Sequence, residues 1–402
     1  MSSNDKNHAD KPKRRAFFLA AGIHSCLGNG IDANLATLQQ LPQPPALLDN
    51  DLTDEQLNIP YKLLAESPLA DLQNRLYQVI DDVLEQALTE ANLSQAQRQA
   101  MSLYLGSSSF DIGINEANFQ QQLAVETDTH KAMPLPGPSM ANVADYIVRS
   151  QGLRGEDFSF NTACTSSANA LMSAVAHVEA GLVEHALVVG VELYNDVTAL
   201  GFYGLDLLTR SVMRPFDKSR DGLVLGEGVS AVIIGRAAEN QQQGFYLCGG
   251  ANLCDTHSIT MSNVDGSGIA EVMQLALANA DMAANAINVI KAHGTASLAN
   301  DEAEAAGLHR LFKPLPKVCV LKPFIGHTLG ACGLNELILF YRAIEAGFLI
   351  ATPGIGADSG DLNVQLNQQL SPVAPGNFML NFFGFGGNNT SLVISNKWEA
   401  EA

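Results

Sequence analysis

Short apolar runs rich in β-branched residues alternate with helical patterns along this chain. Residues 17–23 read as a strand. Residues 71–91 read as an amphipathic helix, with Leu72, Leu76, Val79, Ile80, Val83, Leu84 and Ala87 on one face. Strands follow at 101–105 and 158–160, then a helix from Thr165, then strands at 186–191 and 229–234. The second half continues the alternation with strand 245–250, helix 268–281, strands 289–292 and 317–321, a helix beginning near Leu329, and strands 378–381 and 391–395. Strands alternating with helices imply an α/β class with much parallel sheet. Segments 42–68 and 214–228 read as loop-rich excursions, the first for its prolines, the second for its charge and glycine.

One internal echo stands out. A displacement of 166 residues lays 164–181 over 330–347, with five identities in eighteen. Both windows read as strand, tight turn, apolar helix, then Glu-Ala-Gly. Two similar halves meeting face to face would bring two strand-to-helix turns to one central site.

Composition narrows the function. Lys plus Arg number 23 and Asp plus Glu 42 in 402 residues, a formal net charge of −19. That balance argues against a nucleic-acid binder. No stretch reaches the 18 or so uncharged apolar residues of a membrane span. Residues 1–15, with Lys11, Lys13, Arg14 and Arg15, read as a solvated basic tail, and a cytoplasmic protein is expected. The six cysteines (26, 164, 248, 254, 319 and 332) form no CxxC pair, so neither a metal site nor a disulfide framework is expected.

One cysteine sits where chemistry is expected. In Asn161-Thr-Ala-Cys164-Thr-Ser-Ser-Ala168 it stands where a strand turns into a helix, and residues 165–178 carry no Asp, Glu, Lys or Arg. A buried helix N-terminus is expected to favour the thiolate. His293 in Ala-His-Gly-Thr follows a strand, His327 in Gly-His-Thr precedes the second helix of the echo, and Lys322 lies five residues before it. Asp301 and Glu304 fall on a helix after the His293 loop. Ligands of open α/β sheets bind at such strand ends. Gly384-Phe385-Gly386-Gly387 joins two strands and lets backbone approach a ligand closely.

Together these residues resemble the β-ketoacyl synthases, the condensing enzymes of the thiolase superfamily. The likeness runs over nearly the whole chain. It rests on TACTSSA around Cys164, the block RPFDKSRDGLVLGEG at 214–228, AHGT at His293, KPFIGH at 322–327 and GFGG at 384–387. It implies a thiolase-like fold, with two similar α/β halves (16–243 and 244–402) packed as a five-layer αβαβα sandwich. It implies an elongating, carrier-protein-dependent enzyme in fatty-acid or polyketide/polyene synthesis. Cys164 would be acylated. The backbone N–H groups of Cys164 and Phe385 would form the oxyanion hole. His293 and His327 would stabilise the enolate left by decarboxylation of a malonyl thioester. Lys322 would orient the site and Glu304 position it. Thr295 and Ser297 would bind the pantetheine arm, and Ser109, Phe110 and Phe202 would border the acyl chain. No metal or redox cofactor is implied.

Partners follow from the same resemblance: an acyl carrier protein, and a second ketosynthase subunit in a homodimer or heterodimer. The alternative function is a non-catalytic subunit that sets chain length, and such subunits usually lose the cysteine that is present here. Acyl carrier proteins are acidic, so the global field of this chain opposes docking and a local basic patch is needed. Lys62, Arg75, His130 and Lys131 are the expected patch, with Arg210 weaker and Asp206 unfavourable. The chain departs from the family pattern at Ser297, Pro323, Phe382 and Asn388.

Overall fold

The computed structural model describes residues 15–50, 57–67, 69, 71–125, 139–236, 244–258 and 262–397. Ten main strands fall into two sets of five. The first set is β1 (Ala16–Ser25), β2 (Ser102–Gly106), β3 (Asp157–Phe160), β4 (His185–Glu192) and β5 (Gly228–Arg236). The second is β6 (Tyr246–Cys254), β7 (Ile287–Lys291), β8 (Lys317–Cys319), β9 (Asn377–Phe383) and β10 (Asn388–Ser395). The first set is ordered β3-β2-β4-β5-β1 and the second β8-β7-β9-β10-β6, so the two orders are the same. In each set the three strands at one end run parallel and the last two pair antiparallel. The sets join where β1 meets β6 at Phe17 and Tyr246, and with Gly28–Asn29 they form one eleven-stranded sheet.

Three helices lead into the parallel strands of each set. These are α1 (Leu72–Ala91), α2 (Met140–Gln151) and α3 (Ser166–Ala180) in the first, and α4 (Ser267–Asn279), α5 (Leu298–Leu311) and α6 (Cys332–Glu345) in the second. Hydrophobic burial divides them into layers. One core cluster lies between α1, α2 and the first set of strands, another between α4, α5 and the second. The largest cluster lies between the two sets, around α3 and α6. The sandwich is therefore α-β-α-β-α.

Small residues make the central layer possible. A Cβ on Gly333 would sit 2.4 Å from the Ala168 amide nitrogen, and one on Gly106 would sit 2.5 Å from the Ser167 Cα. α3 is apolar or small along most of its length, and its buried residues run from Ser166 to Val178. Its start at Ser166 and that of α6 at Cys332 reproduce the 166-residue displacement of the sequence echo.

One expectation fails here. The excursion at 42–68 contains two strands, Ala46–Asn50 and Leu57–Lys62, paired antiparallel. Ile59 and Tyr61, good strand formers, are both buried here, and their packing outweighs the loop signal of the prolines.

Candidate active site

The parallel strands of both sets end towards one cavity of about 340 Å³, lined by Cys164, His293, Thr295, Ser297, His327 and the 383–387 turn, among others. Cys164, Phe202, His293, Thr295, Ser297, His327 and Phe385 therefore converge from distant positions onto one cavity.

The corner before α3 places the nucleophile candidate. Ala163 takes a positive φ of 53°, which turns the chain sharply ahead of the helix, and Cys164 follows it. Its thiol is buried, 3.1 Å from His327 Nε2. The glycine-rich turn comes close from the other side: a Cβ on Gly384 would stand 3.2 Å from the Cys164 amide nitrogen. The Phe385 N–H stabilises the sulfur as an anion, and Lys322 adds attraction. Burial outweighs both, and pushes the thiol up to about 11. This corrects the expectation of a thiolate made ready by the helix: the desolvation cost exceeds the favourable field.

The two histidines differ. Lys322 Nζ donates to His293 Nδ1 at 3.2 Å, so the His293 proton resides on Nε2. His327 Nδ1 is buried without a hydrogen-bond partner among the described residues. The two rings are perpendicular, with centroids 5.3 Å apart. Burial, then Lys322, holds both well below the usual histidine range, so both are neutral. Glu304 fixes the His293 loop from beneath, accepting from the amides of His293 and Gly294 at 2.8 Å each. Burial raises Glu304 to about 7.

Lys322 is wholly buried and paired with Glu336 Oε1 at 2.6 Å. Pro323 occupies the first turn of the short helix Lys322–Ile325, where a missing N–H costs nothing. Thr295 and Ser297 hydroxyls lie 3.0 Å apart on the cavity wall. Phe202 stacks on Phe385, rings 5.3 Å apart and 7° from parallel. Ser109 and Phe110 are buried but do not line this cavity; the Ser109 hydroxyl donates to Glu192 Oε1 at 2.8 Å.

Two members of the expected docking patch are interior residues. Arg75 is buried in a bidentate pair with Glu227, at 2.7 and 2.6 Å. Lys62 is also buried, its ammonium on the Gln43 carbonyl. A cation paired inside the molecule offers nothing to an acidic surface. Arg210 is exposed, and so is Asp206 at the cavity mouth; His130 and Lys131 lie outside the described residues.

Sequence reasoning missed Lys291, Glu336 and Glu192. Glu192 closes β4 and collects five donors: the amides and hydroxyls of Ser108 and Ser109, and the amide of Gly330. An acid ending an apolar strand at the ligand end of the sheet was the available signal. Among the described residues no helix is long and apolar enough to cross a membrane.

Comparison with known proteins places the chain in a family. Residues 65–240 match the β-ketoacyl synthase N-terminal domain and residues 247–355 the C-terminal domain. The chain is 27% identical to the chloroplastic 3-oxoacyl-[acyl-carrier-protein] synthase I of Arabidopsis thaliana, over 96% of this chain and 87% of that one. It is 28% identical to 3-oxoacyl-[acyl-carrier-protein] synthase 2 of Vibrio harveyi, over 77% and 79% of the two chains. A chain of the solved complex of a ketosynthase with its chain length factor, from Xenorhabdus doucetiae, superimposes with a TM-score of 0.80 at 25% identity, covering 96% of this chain and 99% of that one. The ishigamide ketosynthase/chain length factor shares the fold, with a TM-score of 0.83 at 23% identity over 96% and 100% of the two chains. The chain belongs to the β-ketoacyl synthase family of acyltransferase-type condensing enzymes.

Proposed function

We propose that this chain extends an acyl chain by two carbons through decarboxylative Claisen condensation with a malonyl thioester, both substrates carried on an acyl carrier protein. The observation that carries this reading is the meeting of Cys164, His327 and His293 on one cavity, with sulfur and Nε2 3.1 Å apart.

In the first half-reaction the Cys164 sulfur attacks the acyl thioester carbonyl. The carrier's sulfur leaves and takes the proton that Cys164 gives up, relayed by His327 Nε2. The N–H groups of Cys164 and Phe385 stabilise the tetrahedral oxyanion. In the second half, the malonyl carboxylate leaves as carbon dioxide and its bonding pair passes into the enolate. His293, with its proton fixed on Nε2, donates to the enolate oxygen; His327 joins it in the tautomer that carries its proton on Nε2, the nitrogen facing Cys164. The enolate carbon attacks the acyl-enzyme, the Cys164 thiolate departs, and one proton from solvent restores the thiol. Neutral imidazoles suit both tasks. The reaction requires no metal or redox cofactor. Thr295 and Ser297 serve the pantetheine arm, and Phe202 borders the acyl chain.

The solved complexes of similar ketosynthases with chain length factors support a second ketosynthase-type subunit as a partner. With Lys62 and Arg75 internal, docking of the carrier falls to other cations, Arg210 among them. The test offers purified protein a panel of acyl-loaded carrier proteins and reads the mass of the Cys164 peptide. An acyl adduct on wild type and none on Cys164→Ala is expected. No adduct from any donor, short or long, would overturn the reading.

A further inference from the structure

Lys291 closes β7 two residues before His293 and is wholly buried. Its ammonium donates to Glu336 Oε2 at 2.6 Å and to the Asn381 carbonyl at 2.8 Å, and it lies 3.7 Å from the centre of the Phe382 ring. A carboxylate, a carbonyl and an aromatic face take up its three N–H bonds, the environment of a charged ammonium. The other oxygen of Glu336 holds Lys322 at 2.6 Å. Two buried cations thus share one buried anion.

A buried ion pair is weak support for stability, and a second lysine on the same carboxylate is weaker still. Its position suggests another use. Lys291 ties together the end of β7, which leads to His293, the end of β9, which leads to the Phe385 turn, and α6. We propose that Lys291 is a positioning residue of this site, whose ammonium clamps those three elements through Glu336 and leaves the Lys291–Glu336–Lys322 group with one net positive charge behind the thiol and the histidines. That charge favours an anion at the reacting atoms, first the thiolate and then the enolate.

The ionisable groups facing this cluster are few. Glu336 and Cys332 come from α6, Cys319 from β8, and Glu304 from α5 with Asp301 beside it. His293 and His327 lie beyond Lys322, and Cys164 beyond them with Glu192 behind. The inference rests on reading Cys164 as the acylated residue. It is tested without acyl or carrier substrate, so its failure and the failure of that reading are distinguishable.

The experiment is a charge cycle. Cys164 alkylation by iodoacetamide is followed against pH, by mass spectrometry of its peptide, in wild type, Lys291→Met, Glu336→Gln and the double variant. The group carries net charges of +1, 0, +2 and +1 in that order. At any one pH between 8 and 10, Lys291→Met is expected to slow Cys164 alkylation about threefold, Glu336→Gln to speed it, and the double variant to return near wild type. A merely structural role displaces all three variants in one direction, with the double variant the furthest; that result, or no shift in any variant, overturns the proposal. Should the variants fail to fold, ¹⁵N-lysine spectra of wild type at pH 8 decide it. Two slowly exchanging ammonium signals are expected, for Lys291 and Lys322, and a neutral amine in place of one overturns it.

Discussion

The corners that open α3 and α6 are the same device with two outcomes. Each is entered through a non-glycine residue of positive φ, Ala163 at 53° and Leu329 at 40°. Each helix ends at a glycine of positive φ, Gly181 at 76° and Gly347 at 86°. All of these positions are related by the same 166 residues. The corners also hold each other: Cys332 Sγ donates to the Cys164 carbonyl at 2.9 Å, and the Leu334 amide donates to the Ser167 hydroxyl at 3.0 Å. They part at one position. Cys164 turns a thiol to the cavity, whereas Gly330 has no room for any side chain, since a Cβ there would stand 2.4 Å from the Ser108 amide nitrogen and 2.9 Å from Glu192. Gly330 instead donates its amide to Glu192 Oε2 at 2.9 Å. One corner is chemical and the other is a clamp on the loop after β2. The same turn therefore presents one thiol to the cavity, because its twin is filled by that loop.

The sharpest way to break this comparison is to alter each corner at its point of difference. Cys164→Ala is expected to lower condensation by at least about 10⁴-fold while moving the melting temperature by no more than about 3 °C. Gly330→Ala is expected to do the reverse in kind, costing about 2–4 kcal/mol of stability because backbone, not a flexible side chain, receives the clash. Denaturant midpoints for both settle it. A Gly330→Ala protein as stable as wild type would remove the clamp.

Next in size is the effect of pH on the chemical corner. Burial raises the folded-state Cys164 thiol from 9.0 to about 11, so its thiolate fraction at pH 8 is about a hundredfold below that of a free cysteine. The greater nucleophilicity of a more basic sulfur returns part of this, leaving alkylation about tenfold slower. The rate is expected to climb through pH 10 without levelling. A plateau below pH 9 would mean that the helix field and the Phe385 amide outweigh burial after all.

What the sequence revealed and hid follows from distance along the chain. Cys164, His293, Lys322 and His327 stood beside glycine or at element ends, where local pattern marks a ligand-facing turn. Lys291 and Glu336 stayed hidden, because 45 residues separate them and each alone reads as an ordinary charge on a strand or helix. Arg75 misled for the same reason. It lies 152 residues from Glu227, and nothing local indicates that its charge is neutralised inside. Local spacing reports faces and turns, whereas a buried charge is explained only by a partner that the fold supplies. Phe382 illustrates both. As a departure from the family pattern it had no reading, yet beneath the Lys291 ammonium its ring takes up the one N–H that no oxygen receives.

The smallest expected effect tests whether the corners support each other equally. Ser166 and Cys332 are equivalent first residues of their helices. The Ser166 hydroxyl donates to the Ala163 carbonyl at 2.6 Å and accepts from the Thr162 amide at 2.9 Å, so it staples its own corner. Cys332 reaches across to the other corner, and the carbonyl it meets is that of Cys164. Each alanine variant loses one or two hydrogen bonds and leaves a small cavity, about 1–2 kcal/mol in stability. They are expected to differ in function. Ser166→Ala loosens the turn that aims the thiol, whereas Cys332→Ala frees only the carbonyl side of Cys164. Matched for stability, Ser166→Ala should slow acylation of Cys164 about threefold more than Cys332→Ala. Equal slowing would mean that the aim of the sulfur is set between the corners rather than within the first.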